Sequence, residues 1–243
     1  MKKNLIYGLH PVIEAIKSGK DIDKVFVQKK LQGKTFFELL SLLKEKQISY
    51  KTVPAEKIHK LTKENHQGVV AFISPVALVS LEKLLENNSR QSPATFILLD
   101  GITDTRNFGA IIRTAAAVEV SGIIISENNS APLNDDVVKT SAGGIFKVPI
   151  SRVKHLKDAL FLLQAYDIKI FAATEKATKL VYDANFKQDY ALIMGSEGKG
   201  IQKSLLNLSE PIKLPVSNKM DSLNVSVACG IILYEGVRQR LTL

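Results

Sequence analysis

From about residue 94 onward, short apolar runs alternate with segments of helical apolar spacing, and this alternation constrains the fold more than any other feature. It is typical of an α/β domain in which helices cover both faces of a mostly parallel sheet. The strands of such a sheet are buried on both faces, so each is continuously apolar. The runs that we predict as strands are Phe96–Leu99, Ile123–Ile125, Ile145–Val148, Ile168–Ala172, Ala191–Met194 and Ile212–Leu214.

The first part of the chain has a separate α/β pattern. Two helical apolar stripes, Val12–Ile16 and Phe36–Leu43, lie on either side of the strand-like run Val25–Val27. The segment Ile48–Thr52 alternates like an edge strand, whereas Val69–Ile73 is typical of a buried one. These elements predict a compact α/β unit of its own.

The two patterns meet in a polar stretch that contains a short helical pattern at Leu81–Leu85. A chain of 243 residues with 45% apolar content is long enough for two modest domains. We therefore predict an N-terminal domain over residues 1–75, a linker over 76–93 and a C-terminal domain over 94–243.

The positive charge is concentrated in the first part of the chain. Residues 1–93 carry 16 Lys and Arg against 9 Asp and Glu, whereas residues 94–243 carry 17 against 15. Basic proteins attract polyanions and release their counterions, so nucleic acid is the natural partner of this part. Charge alone is equally compatible with a solvated basic surface.

Composition excludes several classes of protein. No apolar run approaches the roughly 18 residues of a transmembrane helix, and we expect a cytoplasmic protein without a membrane partner. The single cysteine, Cys229, lies in an apolar run and is expected to be buried rather than nucleophilic. The four histidines lack the spacing of metal ligands, so we predict no metal.

Two stretches of the sequence resemble common nucleotide-binding motifs but do not match them. Gly195, Gly198 and Gly200 give the spacing G-x-x-G-x-G, the reverse of the dinucleotide fingerprint, which argues against NAD. Gly33–Thr35 resembles the end of a phosphate-binding loop, but the upstream glycine position holds Gln28. Neither motif predicts a function.

A first polar motif follows the first predicted strand of the C-terminal domain. Asn107 can cap a helix that begins near Gly109, where a glycine allows close backbone approach. Arg113 lies one to two turns into this apolar helix, close enough to the strand end to bind a phosphate with its planar fork. A structural salt bridge would also explain this arginine.

Two further motifs follow later strands. The turn Gly195–Gly200 contains Glu197 and exposes backbone groups suited to a nucleoside, although an ordinary turn before a helix would look the same. Ser222 is a plausible N-cap of the last helix. Asn224 and Ser226 then fall within an otherwise apolar helix and need hydrogen-bond partners there.

Together the three motifs resemble those of the SpoU (TrmH-like) 2'-O-ribose methyltransferases of the SPOUT class, in the same order. The resemblance implies a SPOUT domain with a deep C-terminal trefoil knot, which general topology rules would not predict. It also implies S-adenosylmethionine bound in the knot and a homodimer that completes the active site. The residues that it makes catalytic are Arg113, Asn107, Glu197, Ser222 and Asn224. Those that it places at S-adenosylmethionine are Thr174, Met194, Gly195, Gly198, Ile212, Leu214, Ser222 and Leu223.

The first part of the chain resembles an L30e-like RNA-binding domain. Ile6–Val12 and His66–Val69 match the subgroup that methylates a guanosine in the peptidyl-transferase P loop of 23S rRNA. One departure is Asp104–Arg106, where many members have proline. The residues that the resemblance assigns to RNA binding are His10, His66, Gln67, Arg106 and Arg113.

The implied reaction is transfer of a methyl group from S-adenosylmethionine to a ribose 2'-hydroxyl. A guanidinium gives up its proton too reluctantly to serve as a base, so we assign Arg113 to positioning of phosphate and hydroxyl. Asn107, Ser222 and Asn224 would orient the ribose and Arg113. Glu197 would fix the active-site network, and pairing with Arg113 is one way in which it could do so. The same reaction on tRNA, and a non-catalytic role in ribosome assembly, remain open alternatives.

Overall fold

The structure is a computed structural model that describes residues 5–74, 76–86, 93–217 and 222–241. The chain divides into two compact units. The first comprises Met1–Ala77 and Pro132–Asp135, and the second comprises Leu78–Ala131 and Asp136–Leu243.

The first unit is built on a mixed sheet with the strand order β1-β4-β2-β3. Its strands are β1 (Leu5–Tyr7), β2 (Ile22–Gln28), β3 (Tyr50–Val53) and β4 (Val69–Ile73), and its helices are α1 (Leu9–Lys17), α2 (Lys34–Glu45) and α3 (Ala55–Leu61). Strand β4 pairs antiparallel with β1 and β2, whereas β3 runs parallel to β2 at the sheet edge.

Successive residues of β4 pack into two separate apolar clusters, because side chains alternate between the two faces of a sheet. Val69 and Ala71 pack with the buried residues of α1 and α2, and Val70 packs with Ile58 of α3. The predicted helices, the buried strands and the edge strand of this unit are therefore confirmed. Strand β1 and helix α3 were not predicted, because each contributes only a short apolar pattern.

The second unit is built on a parallel sheet with the strand order β10-β8-β9-β5-β6-β7. Its strands are β5 (Thr95–Asp100), β6 (Gly122–Ser126), β7 (Ile150–Val153), β8 (Lys169–Ala173), β9 (Tyr190–Gly195) and β10 (Glu210–Ile212). Its helices are α4 (Leu81–Glu86), α5 (Thr105–Ala117), α6 (Asp135–Thr140), α7 (Leu156–Ala165), α8 (Lys203–Leu206) and α9 (Val225–Leu241). Every residue of β5 is buried, which is the continuous burial predicted for a central parallel strand.

Two strand predictions need correction. The run Ile145–Val148 is not a strand, because Gly144–Phe146 forms a 3₁₀-helix and the strand β7 begins only at Ile150. A short buried apolar run cannot distinguish a strand from a buried helical turn. The last strand ends at Ile212 rather than at Leu214.

The short helix α4 belongs to the second unit, where a linker over 76–93 was expected. Leu81, Leu84 and Leu85 are buried in the core of that unit together with residues of β5 and α7. The division between the two units falls at Ala77 and Leu78.

No helix in the described part of the chain is both long and apolar enough to span a membrane. Over the same ranges, no three His, Cys, Asp or Glu side chains gather in a way that could hold a metal ion. The trefoil knot stays a prediction.

Candidate active site

The three polar motifs meet at one edge of the parallel sheet. Asp100 at the end of β5 pairs in register with Gly195 at the end of β9, so the segments that follow both strands begin side by side. Helix α9 packs beside α5 and brings the third motif to the same edge. Open parallel sheets bind their ligands at this edge, beyond the carboxyl ends of the strands.

Asp104, not Asn107, caps helix α5. The Oδ1 atom of Asp104 accepts hydrogen bonds from the backbone N–H groups of Arg106 (3.0 Å) and Asn107 (2.8 Å). The predicted cap at Asn107 is therefore wrong, because α5 begins earlier, at Thr105. Asn107 lies in the first turn, and its side chain is available for other contacts.

The side chains of Asn107, Glu197 and Asn224 form one hydrogen-bonded group, which we call the amide–carboxylate cluster. Glu197 Oε1 accepts hydrogen bonds from Asn107 Nδ2 (3.1 Å) and from Asn224 Nδ2 (2.8 Å). Asn224 Nδ2 also donates to Asn107 Oδ1 at 3.0 Å. One residue from each motif is thus joined to the other two, and among the described residues none donates to Glu197 Oε2.

Asn224 also caps helix α9. Its Oδ1 atom accepts hydrogen bonds from the backbone N–H groups of Ser226 (3.0 Å) and Val227 (3.4 Å). The predicted cap at Ser222 is wrong, because the helix begins at Val225 and a cap must directly precede it. Ser226 Oγ donates to the same Asn224 oxygen at 2.6 Å.

The loop that carries Glu197 is fixed at both ends. A Cβ atom at Gly195 would lie 2.4 Å from the carbonyl carbon of Gly200, so only glycine allows this close approach. The buried carboxylate of Asp100 accepts hydrogen bonds from the backbone N–H of Gln202 (2.7 Å) and from its Nε2 (2.6 Å). Asp100 and Gln202 were not predicted as site residues, since they lie 102 positions apart in sequence.

A cavity of about 360 Å³ opens beside the cluster, a volume within the usual range for small-molecule sites. Glu197 lines it, together with apolar side chains such as Ile232. All eight residues that were predicted to bind the methyl donor also line it, namely Thr174, Met194, Gly195, Gly198, Ile212, Leu214, Ser222 and Leu223.

Arg113 does not join this cluster within the chain. Its side chain is exposed on α5, and no hydrogen bond or ion pair with another described residue holds the guanidinium. Within the described chain Glu197 does not pair with Arg113, because its carboxylate binds the two asparagines. An α-helix turns about 240° in six residues, so Arg113 projects from a different side of α5 than Asn107 does.

The residues assigned to RNA in the first unit have different surroundings. His10 is exposed, whereas Gln67 Oε1 accepts the backbone N–H of Leu9 at the start of α1 (3.1 Å). His66 is only 6% exposed, and its Nδ1 accepts the backbone N–H of Gly68 (2.9 Å). Burial, and secondarily the adjacent His59, lower the pKa of His66. His66 therefore packs inside the unit, where burial favours its neutral form, and does not offer a surface to RNA.

Two other candidate residues match their predicted surroundings. Arg106 is exposed beside Asn107. Cys229 is fully buried in α9, and burial raises the pKa of its thiol to about 12. A thiol in that state is not a nucleophile at neutral pH, in agreement with the sequence prediction.

Both parts of the chain match families of known proteins. The SpoU rRNA Methylase family matches residues 94–234, and a domain described as RNA 2'-O ribose methyltransferase substrate binding matches residues 5–79. A Staphylococcus haemolyticus protein assigned to the TrmH family of tRNA/rRNA methyltransferases is 32% identical over 242 residues. That alignment covers 99% of this chain and 97% of the relative.

Two solved structures differ in how much of the chain they match. An rRNA methyltransferase from Sinorhizobium meliloti, solved with AdoMet bound, is 25% identical with a TM-score of 0.61 and covers 96% of this chain and 86% of its own. The TrmH/SpoU tRNA modifying enzyme of A. aeolicus is 27% identical with a TM-score of 0.58. It covers 67% of this chain and 83% of its own.

Proposed function

The chain belongs to the SpoU rRNA Methylase family, and on that premise we propose that it transfers a methyl group from S-adenosylmethionine to a ribose 2'-hydroxyl of RNA. The observation that carries this proposal is the amide–carboxylate cluster at the mouth of the 360 Å³ cavity. A cavity for the donor and a polar group for the acceptor are thus adjacent. Such adjacency is what a direct group transfer needs.

The cavity suits the donor in its chemistry. The backbone of Gly195–Gly200 offers N–H and C=O groups for the polar edges of adenosine, and Ile212, Leu214 and Leu223 offer apolar surface for the purine ring. When bound there, S-adenosylmethionine supplies an electrophilic methyl group on its sulfonium. Thr174 and Ser222 add hydroxyl groups to the lining.

The cluster provides the contacts for the ribose. Asn107 and Asn224 hold Glu197 by one oxygen, and no residue in the described part of the chain donates to Oε2, which is thus open to a hydrogen-bond donor. A 2'-hydroxyl that donates to this oxygen has its lone pairs oriented for attack on the methyl group, and the carboxylate can accept its proton. The cluster therefore orients the nucleophile and favours its deprotonation.

Arg113 completes the site from a second subunit in our proposal. Helix α9 exposes Val227 (51%), Ile231 (39%) and Tyr234 (55%) at the spacing i, i+4, i+7, which places them on one helix face. A contiguous apolar face beside α5 favours a homodimer interface. Arg113, which has no partner among the described residues of its own chain, would then bind the RNA phosphate at the partner's cluster.

Mixing two impaired variants tests this arrangement. Arg113→Ala and Asn224→Ala proteins are each expected to keep only a small residual turnover, and heterodimers formed by subunit exchange contain one intact site if the site is shared. Half of the dimers are then heterodimers, so activity recovers to about a quarter of the wild-type value. A mixture that stays at the residual turnover after proven exchange contradicts the shared site.

We favour 23S rRNA, at a guanosine of the peptidyl-transferase P loop, as the substrate. The structure described as an rRNA methyltransferase matches 96% of this chain, whereas the tRNA modifying enzyme matches 67%. The basic first part of the chain, with 16 Lys and Arg against 9 Asp and Glu, supports binding of a large structured RNA. A ribosomal substrate implies a cytoplasmic location.

Methyl transfer to unmodified RNA distinguishes the candidate substrates. The protein is incubated with labelled S-adenosylmethionine and, separately, 23S rRNA transcript, tRNA transcripts and unmodified large-subunit precursor particles, with Arg113→Ala as control. Label in 23S rRNA or in the particle supports the proposal. Label only in tRNA overturns the assignment of 23S rRNA as the substrate. A protein that binds no S-adenosylmethionine in a calorimetric titration would instead be a non-catalytic RNA-binding protein.

A further inference from the structure

Ser226 lies beside the amide–carboxylate cluster without belonging to it. It is the second residue of α9 and is half-buried. Among the described residues, its hydroxyl makes one hydrogen bond, at 2.6 Å to Asn224 Oδ1. A serine in the first turn of a helix often satisfies its hydroxyl locally in this way, so the question is what the bond does to Asn224.

The orientation of the Asn224 amide decides whether the cluster can form. Two backbone N–H groups, from Ser226 and Val227, turn Oδ1 toward the helix, and the hydroxyl of Ser226 must therefore donate to it. The opposite end of the amide then has both Nδ2 protons directed outward. One reaches Glu197 Oε1 and the other reaches Asn107 Oδ1.

Helix capping alone does not fix this amide. A capping oxygen tolerates a range of tilts, and the bond to Val227 is already long at 3.4 Å. The hydroxyl bond is the shortest of the three on Oδ1, and it adds a side-chain donor to the two backbone N–H groups. It therefore restricts the amide plane to the tilt at which Nδ2 meets both partners.

We propose that Ser226 is a positioning residue for methyl transfer, which acts through Asn224 by holding the amide that anchors Glu197. This rests on the proposed function. Without the hydroxyl, Asn224 still caps α9, but its Nδ2 no longer stays on Glu197 Oε1, and the free oxygen of that carboxylate loses its fixed direction. Misplacing a catalytic group by about 1 Å reduces turnover by up to about a hundredfold.

A conservative pair of variants tests the proposal. Ser226→Ala is expected to lower kcat about tenfold, a loss typical of one hydrogen bond, with the dissociation constant for S-adenosylmethionine unchanged. Ser226→Thr keeps the hydroxyl and is expected to restore kcat to within about threefold of wild type. A value for Ser226→Ala within about twofold of wild type overturns the proposal.

A double-mutant cycle separates action through Asn224 from a general effect on the helix. In an Asn224→Ala background, Ser226→Ala is expected to change kcat no further, since Asn224 Oδ1, which accepts the hydroxyl proton, is gone. Additive losses would overturn the proposed route. If wild-type protein transfers no methyl group to any RNA tested, the proposed function fails. This failure is seen before any variant is compared, so it is distinct from a failure of the role proposed for Ser226.

A crystal structure of Ser226→Ala gives a result that does not depend on activity. The expected change is rotation of the Asn224 amide, so that the Nδ2 to Glu197 Oε1 distance rises from 2.8 Å beyond hydrogen-bonding range. An unchanged cluster in that structure overturns the proposal, whatever the protein methylates.

Discussion

Replacing Asn224 by Asp separates the two roles of this residue. An Asp side chain keeps an oxygen toward the N–H groups of Ser226 and Val227, and Asp and Asn are equally good N-caps. The second oxygen, however, replaces the Nδ2 donor that serves Glu197 at 2.8 Å and Asn107 at 3.0 Å. The variant thus keeps the helix and destroys the cluster.

The expected loss can be worked out from these contacts. A hydrogen bond to a charged group contributes roughly 1.5–3 kcal/mol. Two like charges at about 4 Å repel by roughly 1 kcal/mol in water and about 4 kcal/mol near a protein surface, and the exposure of Glu197 favours the lower value. A combined loss of about 2.5–4 kcal/mol in the positioning of the transition state corresponds to a fall in kcat of roughly 10²–10³-fold.

The assay compares Asn224→Asp with Asn224→Ala. We expect both to lose turnover, whereas thermal unfolding separates them. The Ala variant loses a cap worth roughly 0.5–2 kcal/mol. In a chain of this size, Tm falls by about 2–4 °C for each kcal/mol of stability that is lost. The Asp variant keeps this cap, and the contacts that it loses are to an exposed carboxylate and contribute only roughly 0–1 kcal/mol to folding, so it should unfold at a higher temperature than the Ala variant. Near-normal turnover of Asn224→Asp, or an equal loss of stability in both variants, refutes the reasoning.

Three further predictions follow from individual contacts. Thr105→Pro should raise stability by about 0.4–1 kcal/mol with unchanged turnover, because position 105 is the first of α5 and Asp104 before it has an extended ψ of 125°; a lower Tm would contradict this. Gly195→Ala should weaken S-adenosylmethionine binding more than about tenfold in calorimetry, whereas Gly198→Ala, with nothing within 4 Å, should stay within about threefold. Because burial lowers the pKa of His66 in the folded state, its contribution to stability is present above its unfolded pKa of about 6.5 and is lost as the pH falls below it. Thermal unfolding between about pH 7.5 and 5.5 should therefore show a steeper loss for wild type than for His66→Gln, and parallel curves would contradict this.

The sequence was most informative where burial is continuous. Strand β5 reads Thr-Phe-Ile-Leu-Leu-Asp and is buried throughout, so its type and position could be predicted from composition alone. The same logic failed at Ile145, since a buried apolar turn of 3₁₀-helix has the same composition as a short strand.

The site could be predicted residue by residue but not contact by contact. The residues expected at the methyl donor do line a single cavity. The caps were each misplaced by two or three positions, because Asp104 and Asn107, and likewise Ser222 and Asn224, are all good capping residues. That Glu197 binds Asn107 and Asn224 within the chain, and not Arg113, could not be predicted, because sequence order does not give the rotation of a side chain around its helix.

The position of the transferred methyl group is the most direct test of the central claim. Labelled RNA from the transfer reaction is hydrolysed in alkali, which cleaves the chain only where a free 2'-hydroxyl can attack the adjacent phosphate. A methyl group on the 2'-oxygen blocks that cleavage, so we predict label in alkali-stable dinucleotides and its loss with Arg113→Ala. Label in mononucleotides would mean methylation of a base and would contradict the account of the cluster given above.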